Sequence, residues 1–104
     1  MGSPTASVVS LDDLSETPHA VTFEGEEPRT VRLELEAGEE VPAHSHPDRT
    51  IVLYLVAGHV RLRIDDTEHE LKAGDLARFS GDGRISPTAI EDSIALLVLA
   101  PDTE

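Results

Sequence analysis

An all-β domain is what this sequence predicts, and three observations predict it. Apolar and polar residues alternate with the two-residue period of a half-buried strand in TVRLELEA (30–37) and HVRLRID (59–65). Glycines punctuate the chain at Gly25, Gly38, Gly58, Gly74, Gly81 and Gly83. No stretch carries the longer period of an extended amphipathic helix. Short strands between recurring turns read as an antiparallel sandwich or barrel.

Residues 1–18 form an N-terminal tail, and the β domain spans 19–104. In the tail, Ser10 ahead of LDDLSE is a cap for one short helical turn, because acidic residues favour a helix start. Pro18 closes that segment. Val31, Leu33 and Leu35 then share one strand face, with Arg32, Glu34 and Glu36 on the other. IVLYLVAG (51–58) is apolar on both faces, as a central strand would be. Val60, Leu62 and Ile64 point inward from the next strand, with Arg61 and Arg63 outward. HEL is a short strand between the turns DDTE and KAGD, LARF leads to SGDGR, and SIALLVLA (93–100) is the last strand.

Composition narrows the function. The 104 residues make one domain, and with no Trp, one Tyr and two Phe its core is aliphatic. The chain has no cysteine, so disulfides, thiolate metal sites and cysteine nucleophiles are excluded. Its 21 acidic residues against 8 basic ones give a net charge of −13, which repels nucleic acids and acidic membranes. An acidic, lysine-poor surface resembles proteins of salt-loving organisms. No secretion signal and no apolar run of membrane-spanning length is visible, so the expected location is the cytoplasm.

The stretch PAHSHPD (42–48) carries the chemistry. His44 and His46 stand two residues apart, so on a strand they face the same way and can converge on one cation. With Gly38 ahead, Gly58 behind and YLVAG at the strand end, they resemble the first conserved motif of the cupins, and LKAGDLARF (71–79) resembles the opening of the second. The resemblance covers roughly residues 28–100 and implies a small double-stranded β-helix barrel, often a homodimer. It also implies a divalent transition metal (Ni, Zn, Mn or Fe) held by His44 and His46.

The remaining positions of the family's ligand set depart from it. Its glutamate position falls on Ile51, its proline on Ser80, and its last histidine near Ile85 or Ser86. Further candidates for the pocket or the ligand set are Tyr54 on the neighbouring strand, Asp48 beside His46, and His69, which has the inward parity of Leu71. His59 has the outward parity of Arg61 and reads as a surface histidine; Asp75 and Asp82 read as turn residues. Three functions compete: a metal-binding cupin, a metal-free barrel that binds a small molecule as a sensor or carrier, and a filled structural barrel. No residue is identified as catalytic.

Overall fold

A computed structural model describes residues 6–102. One turn of 3-10 helix at Leu11–Asp13 precedes eight strands: β1 His19–Val21, β2 Arg29–Leu35, β3 Arg49–Ala57, β4 His59–Ile64, β5 Thr67–Lys72, β6 Leu76–Ser80, β7 Ile85–Ala89 and β8 Ser93–Pro101. They form two antiparallel sheets, ordered β1-β2-β8-β3-β6 and β5-β4-β7. No helix is long and apolar enough to cross a membrane among the described residues.

The alternation read from sequence sets the core. Val31, Leu33 and Leu35 of β2 are buried with Ile51, Leu53 and Leu55 of β3 and with Val60 and Leu62 of β4. β3 is central in its sheet, between β8 and β6; Ile51, Leu53 and Leu55 are buried on its inner face, while Val52, Tyr54 and Val56 on the outer face stay partly or fully exposed. Gly58 turns β3 into β4 with φ +95, a conformation that L side chains rarely adopt. A Cβ there would also run into the Asp92 carbonyl and Ser93.

Four readings need correction. The helical turn forms, but Ser10 makes no side-chain cap; its carbonyl accepts from Asp13 N instead. Arg32, expected in solvent opposite Leu33, is only 3% exposed. Its guanidinium donates to the carbonyls of Leu11 (3.0 Å), Leu14 (3.3 Å) and Glu16 (2.9 Å), so the tail is tied down over β2. β1 and β7 were not anticipated as strands. β1 has only three residues, too few for a period to show, and β7 contains Pro87, which lacks an N–H for the ladder.

Residues 39–46 border β7 as an irregular further strand. Val41 N donates to Pro87 O, Ala89 N to Glu39 O, and His44 exchanges both backbone bonds with Ile85 at 3.1 and 2.8 Å. Ser86 Oγ adds a bond to Val41 O at 2.7 Å. The PAHSH segment is therefore held by the sheet beside it, although it forms no regular strand itself.

Candidate functional site

Between the two sheets lies a cavity of about 260 Å³. Its walls are aliphatic: Val31 and Leu33 of β2, Ile51 and Leu53 of β3, Leu97 and Leu99 of β8, with Leu62, Ile85 and Pro87 opposite. Its polar lining residues are His19, Arg29, His44 and His46. Among the described residues no carboxylate lines it.

Backbone pairing positions the histidines. His44 is fixed by its exchange with Ile85. His46 N donates to Gly81 O, and Gly81 N donates to Arg49 O, each at 2.7 Å. A Cβ on Gly81 would collide with the His46 carbonyl, so glycine is what permits this approach. His19 enters from β1, whose register sets it opposite Leu33, on the cavity face of the sheet. Sequence reading missed His19. Its signal was the inward parity it shares with Val21, hidden by the brevity of β1.

The rings gather at one place. The His44 and His46 centroids are 4.7 Å apart with planes at 84°, and His19 lies 6.4 Å from His44, edge to face. His44 Nδ1 is 3.0 Å from Pro42 O. A carbonyl can only accept, so Nδ1 carries a proton, and in the neutral ring Nε2 then keeps its lone pair. Burial holds His46 below the ordinary histidine pKa, with the charges of His44 and Arg29 adding to it. His19 is lowered in the same order, by desolvation of the ring, then His44, then Arg29.

The other candidates lie elsewhere. Tyr54 is half-exposed on the outer face of β3, opposite Leu96 and Leu76, because Ile51, Leu53 and Leu55 take the inward parity. Asp48 sits in an exposed turn at φ 65, where its backbone N–H donates to Asp82 Oδ1. His69 does share the face of Leu62 and Leu71, but β5 is an edge strand and leaves the ring exposed at the open side between β5 and β6. His59 pairs with Glu70 at 2.5 Å, as a surface histidine would. Asp75 accepts from Lys72 N at 2.8 Å, as expected of a turn residue.

The donors present do not make up a full set of metal ligands. Ile51, where the resemblance puts the family's glutamate, and Ile85, one of the two residues near its last histidine, line the same cavity as His44 and His46 and present only hydrocarbon. No group of three or more His, Cys, Asp or Glu is arranged to hold a metal ion among the described residues, His19 notwithstanding. Closed sites take four protein ligands and open ones normally three.

A family model described as Cupin domain matches residues 31–99. None of the curated proteins compared matches the chain. Among solved structures, KdgF from Halomonas sp. is similar at 17% identity over 96% of this chain and 97% of that one, with a TM-score of 0.78. An uncharacterized conserved protein with a double-stranded β-helix domain from Klebsiella pneumoniae shares 21% identity over 93% and 91%, at 0.77. An RmlC-like cupin from Shewanella frigidimarina shares 17% over 96% and 95%, also at 0.77. At these identities the likeness shows the double-stranded β-helix fold. The matched family model covers most of the chain, and the chain belongs to the cupin family.

Proposed function

We propose that this cupin is a small-molecule-binding barrel, a sensor or carrier, whose occupant lies between the two sheets with its polar end at the histidine mouth. One observation carries this reading: the cavity is walled by aliphatic side chains and polar only at one end. An apolar pocket with a few convergent polar groups is the usual form of a small-molecule site. Its test is a ligand panel screened by thermal shift and amide spectra on chelator-treated protein. Binding that perturbs Leu53 and Leu97, and that Leu97→Phe blocks by filling the space, is the expected result. A folded protein that responds to nothing in a broad panel would refute it in favour of a structural barrel.

A divalent ion (Ni, Zn, Mn or Fe) held loosely by His44 and His46 is the second reading. The His44–Pro42 bond favours it, since it leaves Nε2 available beside His46. Elemental analysis of untagged protein beside His44→Ala/His46→Ala decides it. Near one metal per chain, lost in the double variant, establishes the site; none after reconstitution removes it.

A homodimer is proposed through the outer face of the larger sheet. Val52 and Val98, and Tyr54 with Leu96 and Leu76, are cross-strand neighbours there. Tyr54 is 38% and Leu76 69% exposed. Arg78, opposite Val52, is a cation on this face of a chain whose net charge is −13, so copies repel less there than across the acidic remainder of the surface. Light scattering at high salt tests it: a dimer that Leu76→Glu dissociates supports this face, and a monomer at all concentrations refutes it.

A further inference from the structure

Arg29 opens β2 at the mouth of the cavity, beside His19, His44 and His46. Among the described residues its guanidinium has no ion pair and no side-chain hydrogen bond. Glu27, two residues before it, is committed elsewhere: its two oxygens accept from Arg49 at 2.8 and 3.1 Å. Arg78 and Arg84 also lack ion pairs, but they border open polar surface that includes Asp102 in one case and Asp65 and Asp66 in the other. Among the described residues, only Arg29 of the cations faces this aliphatic cavity, and no acidic residue lines it.

We propose that the cavity binds a small aliphatic monocarboxylate, its carboxylate on Arg29 with the His19 and His46 rings beside it and its tail among Ile51, Leu53 and Leu97. The inference rests on the cavity-binding reading and names the occupant's chemistry. A guanidinium presents paired donors that match a carboxylate, and the neutral rings of His19 and His46 each add one N–H, while the N–H of His44 is held by Pro42 O. A sugar acid would strand its hydroxyls against hydrocarbon walls that offer no partner. At roughly 30 Å³ per water-sized group, the 260 Å³ cavity takes a molecule of about eight heavy atoms. That is the size of hexanoate.

The acidic surface opposes an anion only at long range. Screening confines exposed charges to about 10 Å at 0.1 M salt, while Arg29 acts in contact. The chain's net charge therefore slows arrival at low salt without deciding the bound state.

The test is calorimetric titration of the full-length, chelator-treated protein with butanoate, hexanoate and the uncharged match 1-hexanol. Hexanoate is expected to bind about tenfold or more tightly than hexanol, the gain of a charged hydrogen bond. Butanoate should bind about fifteenfold more weakly than hexanoate, for two methylenes fewer. Arg29→Gln, at an exposed position, should reduce hexanoate to the affinity of hexanol and leave hexanol unchanged, while Arg29→Lys retains part of the difference. Equal binding of hexanol and hexanoate, or no effect of Arg29→Gln, overturns the carboxylate assignment and leaves the cavity reading standing. Failure of every acid and alcohol to bind the folded protein overturns both.

Discussion

Ile85→His is the sharpest test of why the donor set fails. Ile85 is 4% exposed, lines the cavity and is backbone-paired with His44. An imidazole there would join His44 and His46 and complete three donors with an open position, the usual form of a reactive metal site. Losing the buried isoleucine forfeits roughly 2 kcal/mol of apolar transfer energy. At about 4–8 °C per kcal/mol for a domain of this size, Tm falls by about 8–16 °C.

Added Zn²⁺ or Ni²⁺ should then restore it. An ion at a hundred times its Kd contributes about 2.7 kcal/mol, which on the same scale is about 11–22 °C. The unsubstituted protein, with fewer donors suitably placed, should gain no more than a few degrees from the same ion. Differential scanning calorimetry with and without metal reads both numbers. Equal gains in the two proteins would show that the native residues already hold a metal and that Ile51 and Ile85 do not empty the site. A folded variant with no gain would mean that residue 85 does not face the His44–His46 pair.

Three further outcomes follow from the geometry. Arg32→Ala removes the buried donor that holds the carbonyls of Leu11, Leu14 and Glu16; urea unfolding should show a loss of about 2–3 kcal/mol, with hydrogen exchange at Asp13 and Leu14 rising to the rate of an unprotected chain. Gly81→Ala forces a Cβ against the His46 carbonyl and should cost about 1–3 kcal/mol by overpacking, with shifts at the His44 and His46 ring resonances that a remote Gly74→Ala does not produce. Glu70 is held below the ordinary glutamate pKa by Arg61 first and His59 second. Its contribution is thus present above the unfolded carboxylate value and lost as pH falls through the lower folded value; Glu70→Gln should flatten the acid limb of Tm against pH at low salt, and an unaltered limb would remove Glu70 from it.

How much was legible depends on what each residue touches. Strands with one face in the core and one in water announce themselves, and Val31, Leu33 and Leu35 fell where their alternation put them. β3 announced itself as central but not by face, since an apolar outer face hides parity; Tyr54 was assigned toward the site for that reason and points away. Arg32 has the polar character of a surface residue and is buried because three backbone carbonyls of the tail replace water around it. Nothing in the local sequence of β2 reports a partner some twenty residues earlier.

The mouth of the cavity is the extreme case of this blindness. It is assembled from β1, the irregular 42–46 segment and β7, and each has a reason to lack a strand period: three residues in β1, prolines around the histidines, and Pro87 within β7. A periodic pattern reports a residue that faces either core or water for several turns of the pleat. Mouth residues face both, because a binding site must be reached from solvent and still shed it. The motif glycines and His44 with His46 could be placed from spacing, since spacing survives where period fails. His19 and Arg29 have no such spacing to the pair and are delivered by the β1–β2 register alone, through His19 opposite Leu33 and Arg29 at the strand's first position. It is these two residues that add a third imidazole and a cation to the His44–His46 pair at the rim. The feature that would distinguish the proposed anion-binding cavity from a metal site thus lies in tertiary pairing, where a single sequence carries the least information.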